Sequence, residues 1–236
     1  MAQILSELVD RLQKAHGEKL ISVILYGSAA SEDKTDAFSD YNVLCVLREI
    51  KPDDLARSEP VFRWWREMQN PSPLLLSERE VAESIDCFAM EFHDIKERHR
   101  ILFGKDVIAD MAVDYSFYRA QVEHELRSKL IRLRQKAGGV LSDNEMLMRL
   151  MLDSVSTFCV LLRHVLLLSG AEAKFDKRAI IAAAHEKLGI DSAPFVALLS
   201  VREDKARGKD LKPADLFSDY LRQVEQVVQR VDAMEK

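Results

Sequence analysis

The chain is sparing with the residues that staple or break a fold. Its 236 residues include 3 cysteines, 6 prolines and 8 glycines, and aromatic side chains make up 7%. The cysteines, Cys45, Cys87 and Cys159, are far apart and each stands in apolar sequence. They supply neither a disulfide framework nor a Cys-x-x-Cys zinc pair, so buried free thiols of a cytoplasmic protein are expected. No His-x-x-x-His pair adds a zinc spacing. Low Gly and Pro exclude collagen-like and low-complexity architectures. A long uninterrupted apolar run is also missing: the most apolar stretch, Phe158–Leu168, contains Arg163 and His164. With fewer than about 18 consecutive apolar residues, no membrane span is expected. The first twenty residues read as an amphipathic helix rather than a secretion signal. An excess of positive charge is absent as well. The net charge is −5, which argues against a general nucleic-acid binder.

What remains is an ordinary globular composition, 47% apolar and 31% charged. The charge is unevenly spread: residues 1–114 carry 14 Lys and Arg against 22 Asp and Glu, the remainder 20 against 17. Two units with different surfaces are expected, residues 1–112 and 113–236. Ile4, Leu5, Leu8 and Leu12 share one face of a first helix. Residues 20–26 (LISVILY) and 40–47 (DYNVLCVL) read as buried strands. A helix follows from Pro52 to Met68, then a short strand over Pro73–Leu76, then a helix capped by Ser77 with Glu80 closing a capping box. Asp86–His93 (DCFAMEFH) reads as a third substantial strand and Asp94–Leu102 as a helix. After residue 115 the strand signal stops. Helices are expected over Tyr118–Ala137, Asn144–Leu168, Lys177–Leu188, Pro194–Ala206 and from Pro213 onward, joined by short turns as in an antiparallel bundle.

The chemistry-bearing stretch is residues 21–47, ISVILYGSAASEDKTDAFSDYNVLCVL. An apolar strand runs into Gly27-Ser28, where the chain can approach a phosphate closely and backbone N–H groups can face it. Asp40 and Asn42, two apart on a strand, project to one face and offer oxygen ligands of the kind divalent ions take in phosphoryl transfer. Leu25-Tyr26-Gly27-Ser28, ten intervening residues and Ser39-Asp40-Tyr41-Asn42-Val43-Leu44 together resemble the motif of the polymerase-β-like nucleotidyltransferase superfamily. The likeness is to its small-molecule branch, the kanamycin- and streptomycin-type aminoglycoside nucleotidyltransferases.

That resemblance implies an α+β fold, with an N-terminal mixed-sheet nucleotidyltransferase core followed by an all-α antiparallel helical bundle. It implies nucleotide (NTP, for example ATP) binding at Gly27 and Ser28, and Mg²⁺ or Mn²⁺ binding at Asp40, Asn42 and Glu91, where Glu91 matches the family's third acid. Asp40 and Glu91 would be the catalytic residues, Glu91 also serving as base. The activity would be transfer of a nucleoside monophosphate from an NTP to a hydroxyl of an unidentified acceptor, a small molecule or protein. Asn42 stands where the family has a second Asp. An amide oxygen can coordinate a cation but brings no charge, so a degenerate, non-catalytic nucleotide-binding or protein-interaction member is the alternative. Asp36, Asp86 and Asp94 are substitutes for the missing acid. No membrane partner is expected, and a homodimer is left open.

Other features read as structural. His93 shares a face with Glu91 on a strand but suits a core or surface histidine. Arg127, Lys129, Arg132, Arg134 and Lys136 suit a solvated helix face, and Trp64-Trp65 a helix packed on the sheet. A rival class, the helical nucleotide-binding ribonucleases with Arg, four to six intervening residues and then His, finds loose matches at Arg119–His124 and Arg178–His185. In both, Ala stands where that pattern has a polar residue.

Overall fold

The computed structural model describes residues 2–30, 41–172, 174–203 and 208–234. The chain divides into two compact units, Met1–Ser116 and Phe117–Lys236.

The first unit holds α1 (Ala2–His16), β1 (Leu20–Tyr26), β2 (Asn42–Leu47), α2 (Pro52–Glu67), β3 (Leu74–Ser77), α3 (Glu78–Glu83), α4 (Ala89–Glu97) and β4 (His99–Gly104). Its sheet has the order β3-β2-β1-β4. β1 runs antiparallel to both β2 and β4, and β2 runs parallel to β3. The near-continuous apolar sequences of β1 and β2 follow from cover on both faces. Leu20, Val23, Leu25, Val43, Cys45 and Leu47 pack with Leu5, Leu8 and Leu12 of α1 and with Val61 and Trp65 of α2. Ile24, Leu44 and Val46 point the other way, onto Val81 of α3, Phe92 and Ile95 of α4, and Ile108 and Met111. Ser77 caps α3 with the expected box: its Oγ accepts from Glu80 N, and Glu80 Oε2 accepts from Ser77 N at 2.7 Å.

The structure corrects one element pair. Residues 86–93 do not form a strand; α4 begins at Ala89, and the third substantial strand is His99–Gly104. Phe88, Met90 and Phe92 alternate like a strand in sequence, but the buried residues are Ala89, Met90, Phe92 and Ile95, while Phe88 is exposed. The helical spacing therefore wins, because it alone brings Ile95 onto the sheet. β4 ends where Gly104 adopts a φ of +79°, and an added Cβ there would stand 2.0 Å from Ile21 O. The thiols also differ from expectation. Cys45 and Cys159 are buried, but Cys87 is exposed in the turn before α4. Burial pushes the Cys45 and Cys159 thiols up to about 12, which removes them from thiolate chemistry.

The second unit holds α5 (Tyr118–Gly138), α6 (Asn144–Leu168), α7 (Lys177–Leu188), α8 (Ala193–Arg202) and α9 (Pro213–Asp232). α6 packs against the other four. It is long and apolar enough to cross a membrane by composition, yet its residues from Leu147 to Leu166 supply this unit's core. Asp143 and Asp176 cap α6 and α7 through their carboxylates, and Gly189 ends α7 at a φ of +66°. Tyr118 on α5 hydrogen-bonds His164 Nδ1 on α6 at 2.6 Å, both side chains buried. With the mixed sheet of the first unit, this helical unit makes the chain an α+β protein, as expected.

Candidate nucleotide site

The site is built where β1 ends. Cross-strand pairing sets Tyr26 opposite Asn42 on β2 and opposite His99 on β4. Directly paired residues share a face of a sheet. Tyr26 therefore carries on the row begun by Ile24, on the face covered by α3 and α4, and Asn42 and His99 stand on that same face. Gly27 follows with a φ of +77°, in the left-handed region that glycine alone enters cheaply. A Cβ on Gly27 would sit 3.4 Å from Asn42 Nδ2, so the Asn42 amide lies against the glycine backbone. The glycine N–H is already engaged, donating to Arg98 O at 3.0 Å. Residues Gly27–Ala30 then form a single 3₁₀ turn.

Glu91 reaches this end from α4 rather than from a strand. Its neighbour Phe92 enters the core while Glu91 itself is exposed. It still acts on the sheet end: burial raises the Tyr26 phenol above its ordinary value, and the Glu91 charge raises it further. Thus Gly27 and Asn42 meet beside Tyr26, and Glu91 is near enough for its charge to act on the phenol. Asp40, Asp36 and the Ser28 side chain lie outside the described residues.

His99 was not anticipated. Its Nδ1 meets Ile95 O at 3.0 Å and its Nε2 meets Asp106 Oδ2 at 3.1 Å. The other Asp106 oxygen accepts from Ile108 N and Ala109 N. Burial pushes the Asp106 carboxyl up, but these hydrogen bonds outweigh it and hold the group below its usual range. The residue thereby ties α4, β4 and the following turn together beneath Tyr26. Its only sequence signal was a histidine heading a β-branched and aromatic run, RHRILFG.

The remaining candidates are structural. Trp65 is fully buried, while Trp64 is half-buried with the Arg11 guanidinium 4.3 Å above its ring. Arg127 pairs with Glu123 and Asp232, Lys129 with Glu125 and Arg134 with Glu225. Arg119 bonds Glu123 and Val231 O, and Arg178 bonds Glu203 and Ser200, so both ribonuclease-like arginines are engaged within the helical unit. His185 Nδ1 is held by Ile190 O at 2.7 Å.

No protein-family model and no curated protein sequence matches the chain. Among solved structures, the chain is similar to a crystal structure of spectinomycin adenyltransferase AAD(9) from Enterococcus faecialis with ATP and spectinomycin. The identity is 13% and the TM-score 0.64, over 98% of this chain and 99% of that one. The two proteins thus share a fold over nearly all of both chains, at low sequence identity.

Proposed function

We propose that the chain is a nucleotidyltransferase-like protein that moves a nucleoside monophosphate from an NTP to a hydroxyl of a small molecule or protein, releasing pyrophosphate. The observation that supports this is the Asn42 amide lying against Gly27 at the end of the sheet, with the Glu91 charge acting on Tyr26 beside them, on a fold shared with an adenyltransferase solved with ATP. Residues 1–112 form the nucleotidyltransferase-like domain in this reading, and the helical remainder a second domain. Gly27 lets triphosphate approach the strand end without a side chain in the way, and the Ser28 turn supplies donors in place of the engaged Gly27 N–H. Asp40, Asn42 and Glu91 form an all-oxygen set, which suits Mg²⁺ or Mn²⁺. Bound there, such an ion neutralises phosphate charge and polarises the phosphoryl oxygen. Glu91, exposed and ionisable, accepts the proton of the acceptor hydroxyl. The acidic balance of residues 1–114 suits a cationic acceptor.

The amide at Asn42 favours a second reading, a member of the fold that binds nucleotide without turning it over. Pyrophosphate release distinguishes the two. The protein is incubated with Mg²⁺ and each common NTP against a panel of polyhydroxylated amines. Release that depends on acceptor and is lost in Glu91→Gln supports the transferase. Silence in the native protein with release in Asn42→Asp supports the second reading.

A further inference from the structure

One turn beyond Glu91, α4 gathers three side chains that the proposed transfer does not use. His93, Asp94 and Glu97 each bring a ligand atom within 4.8 Å of the other two. His93 Nε2 and Glu97 Oε2, one helical turn apart, are separated by 3.4 Å. Two ligands each ~2.1 Å from a tetrahedral ion stand about 3.4 Å from one another. The pair therefore already spans the bite of a tetrahedral metal. The far ring nitrogen is also held: His93 Nδ1 meets the Tyr115 hydroxyl at 2.7 Å. The two rings pack edge to face, with centroids 5.9 Å apart. That second contact fixes the ring with Nε2 toward Glu97, the outer-shell arrangement found behind metal-bound histidines.

We propose that His93, Asp94 and Glu97 form a zinc site, completed by water and buttressed by Tyr115. One imidazole and two carboxylates select zinc over magnesium, which prefers oxygen alone. The site is separate from the nucleotide-binding end, because Glu91 is not among its ligands. It ties the end of α4 to the segment carrying Tyr115.

The test is titration of the metal-free, full-length protein with Zn²⁺, and in parallel with Co²⁺, whose visible absorption is strong only in tetrahedral coordination. One equivalent should bind, with the tetrahedral cobalt spectrum. Tyr115→Phe should weaken Zn²⁺ about tenfold, as for an outer-shell partner. His93→Ala and Glu97→Gln should each weaken it by more than about 100-fold, beyond the outer-shell range. Glu97 is exposed, so Glu97→Gln should keep native circular dichroism and remain decisive if His93→Ala does not fold. Glu91→Gln should bind Zn²⁺ as the native protein does, which separates this site from the nucleotide site. Absence of stoichiometric binding overturns the proposal. So does equal binding by the native protein and Glu97→Gln, which would put the metal elsewhere.

Discussion

Replacing Gly104 with alanine should open the seam between β1 and β4 and unfold the first unit at far lower denaturant. Gly104 pairs with Ser22 at a φ of +79°, and the new Cβ would fall 2.0 Å from Ile21 O, 2.9 Å from Ile21 C and 3.2 Å from Ser22 Cα. All three are backbone atoms of a central strand, so no side chain can swing aside. The left-handed conformation alone costs an L-residue roughly 1–2 kcal/mol. Moving the strands apart also gives up the bond from Lys105 N to Ile21 O and that from Ser22 Oγ to Phe103 O, at ~1 kcal/mol each. Together these come to ~3 kcal/mol or more. With a urea m-value of about 2–3 kcal/mol/M, the midpoint should fall by at least ~1 M. Both tryptophans, Trp64 and Trp65, lie in the first unit, so their fluorescence follows this unit alone. Gly138→Ala, in the second unit and followed by the helical circular dichroism signal, is the control. Gly138 ends α5 with nothing within 4 Å of an added Cβ, and alanine there should be neutral or stabilising by up to ~1 kcal/mol. A Gly104→Ala midpoint within ~0.3 M of the native one, less than ~1 kcal/mol, would refute the placement of β4 beside β1.

Acid should weaken the first unit through His16. Its Nε2 bonds Ser58 Oγ, whose own proton goes to Asp54 O, and burial lowers the imidazole pKa despite the Asp54 charge. A folded pKa below the unfolded 6.5 means that the unfolded chain takes up the proton first. Stability should thus be full above pH 6.5 and fall toward the lowered folded value, by at most ~1.4 kcal/mol per pH unit. Urea midpoints at pH 7.5 and 5.5 should differ less in His16→Gln than in the native protein, and equal differences would count against the buried neutral ring. Tyr118→Phe should cost the second unit about 1–3 kcal/mol by deleting the bond to His164. This would be read from thermal melting of the helical signal, and an unchanged melt would contradict it. Gly27→Ala should cost ~1–2 kcal/mol for its left-handed backbone and set a methyl group against the Asn42 amide where phosphate would approach. Nucleotide binding should therefore fall more than stability does, and unaltered binding would remove Gly27 from the site.

Strands β1 and β2 were legible because their apolar runs are bounded by Gly27 and the polar 40–42 segment, and the helices because their buried positions recur at helical spacing. The stretch 86–104 was not. Phe88, Met90 and Phe92 satisfy a period of two as well as a helix does, and only the contact of Ile95 with the sheet decides between them. That slip put Glu91 on a strand when it sits on α4. It also hid the cluster of His93 with Asp94 and Glu97, because residues four apart meet only on a helix. His99 was invisible for another reason. Its partners, Ile95 O and Asp106, come together only when β4 folds back beside β1.

The most direct test of the nucleotide site is calorimetric titration of the native protein and Asn42→Asp with a non-hydrolysable ATP analogue, with and without Mg²⁺, repeated with analogues of the other common nucleotides. A carboxylate at residue 42 adds a unit charge beside the ion. Even at an effective dielectric of about 20 this should net ~3 kcal/mol after desolvation, about a hundredfold in affinity. Metal-dependent binding that Asp40→Ala abolishes and Asn42→Asp strengthens is the predicted result. No heat from either form with any nucleotide would contradict the assignment of this strand end to nucleotide binding.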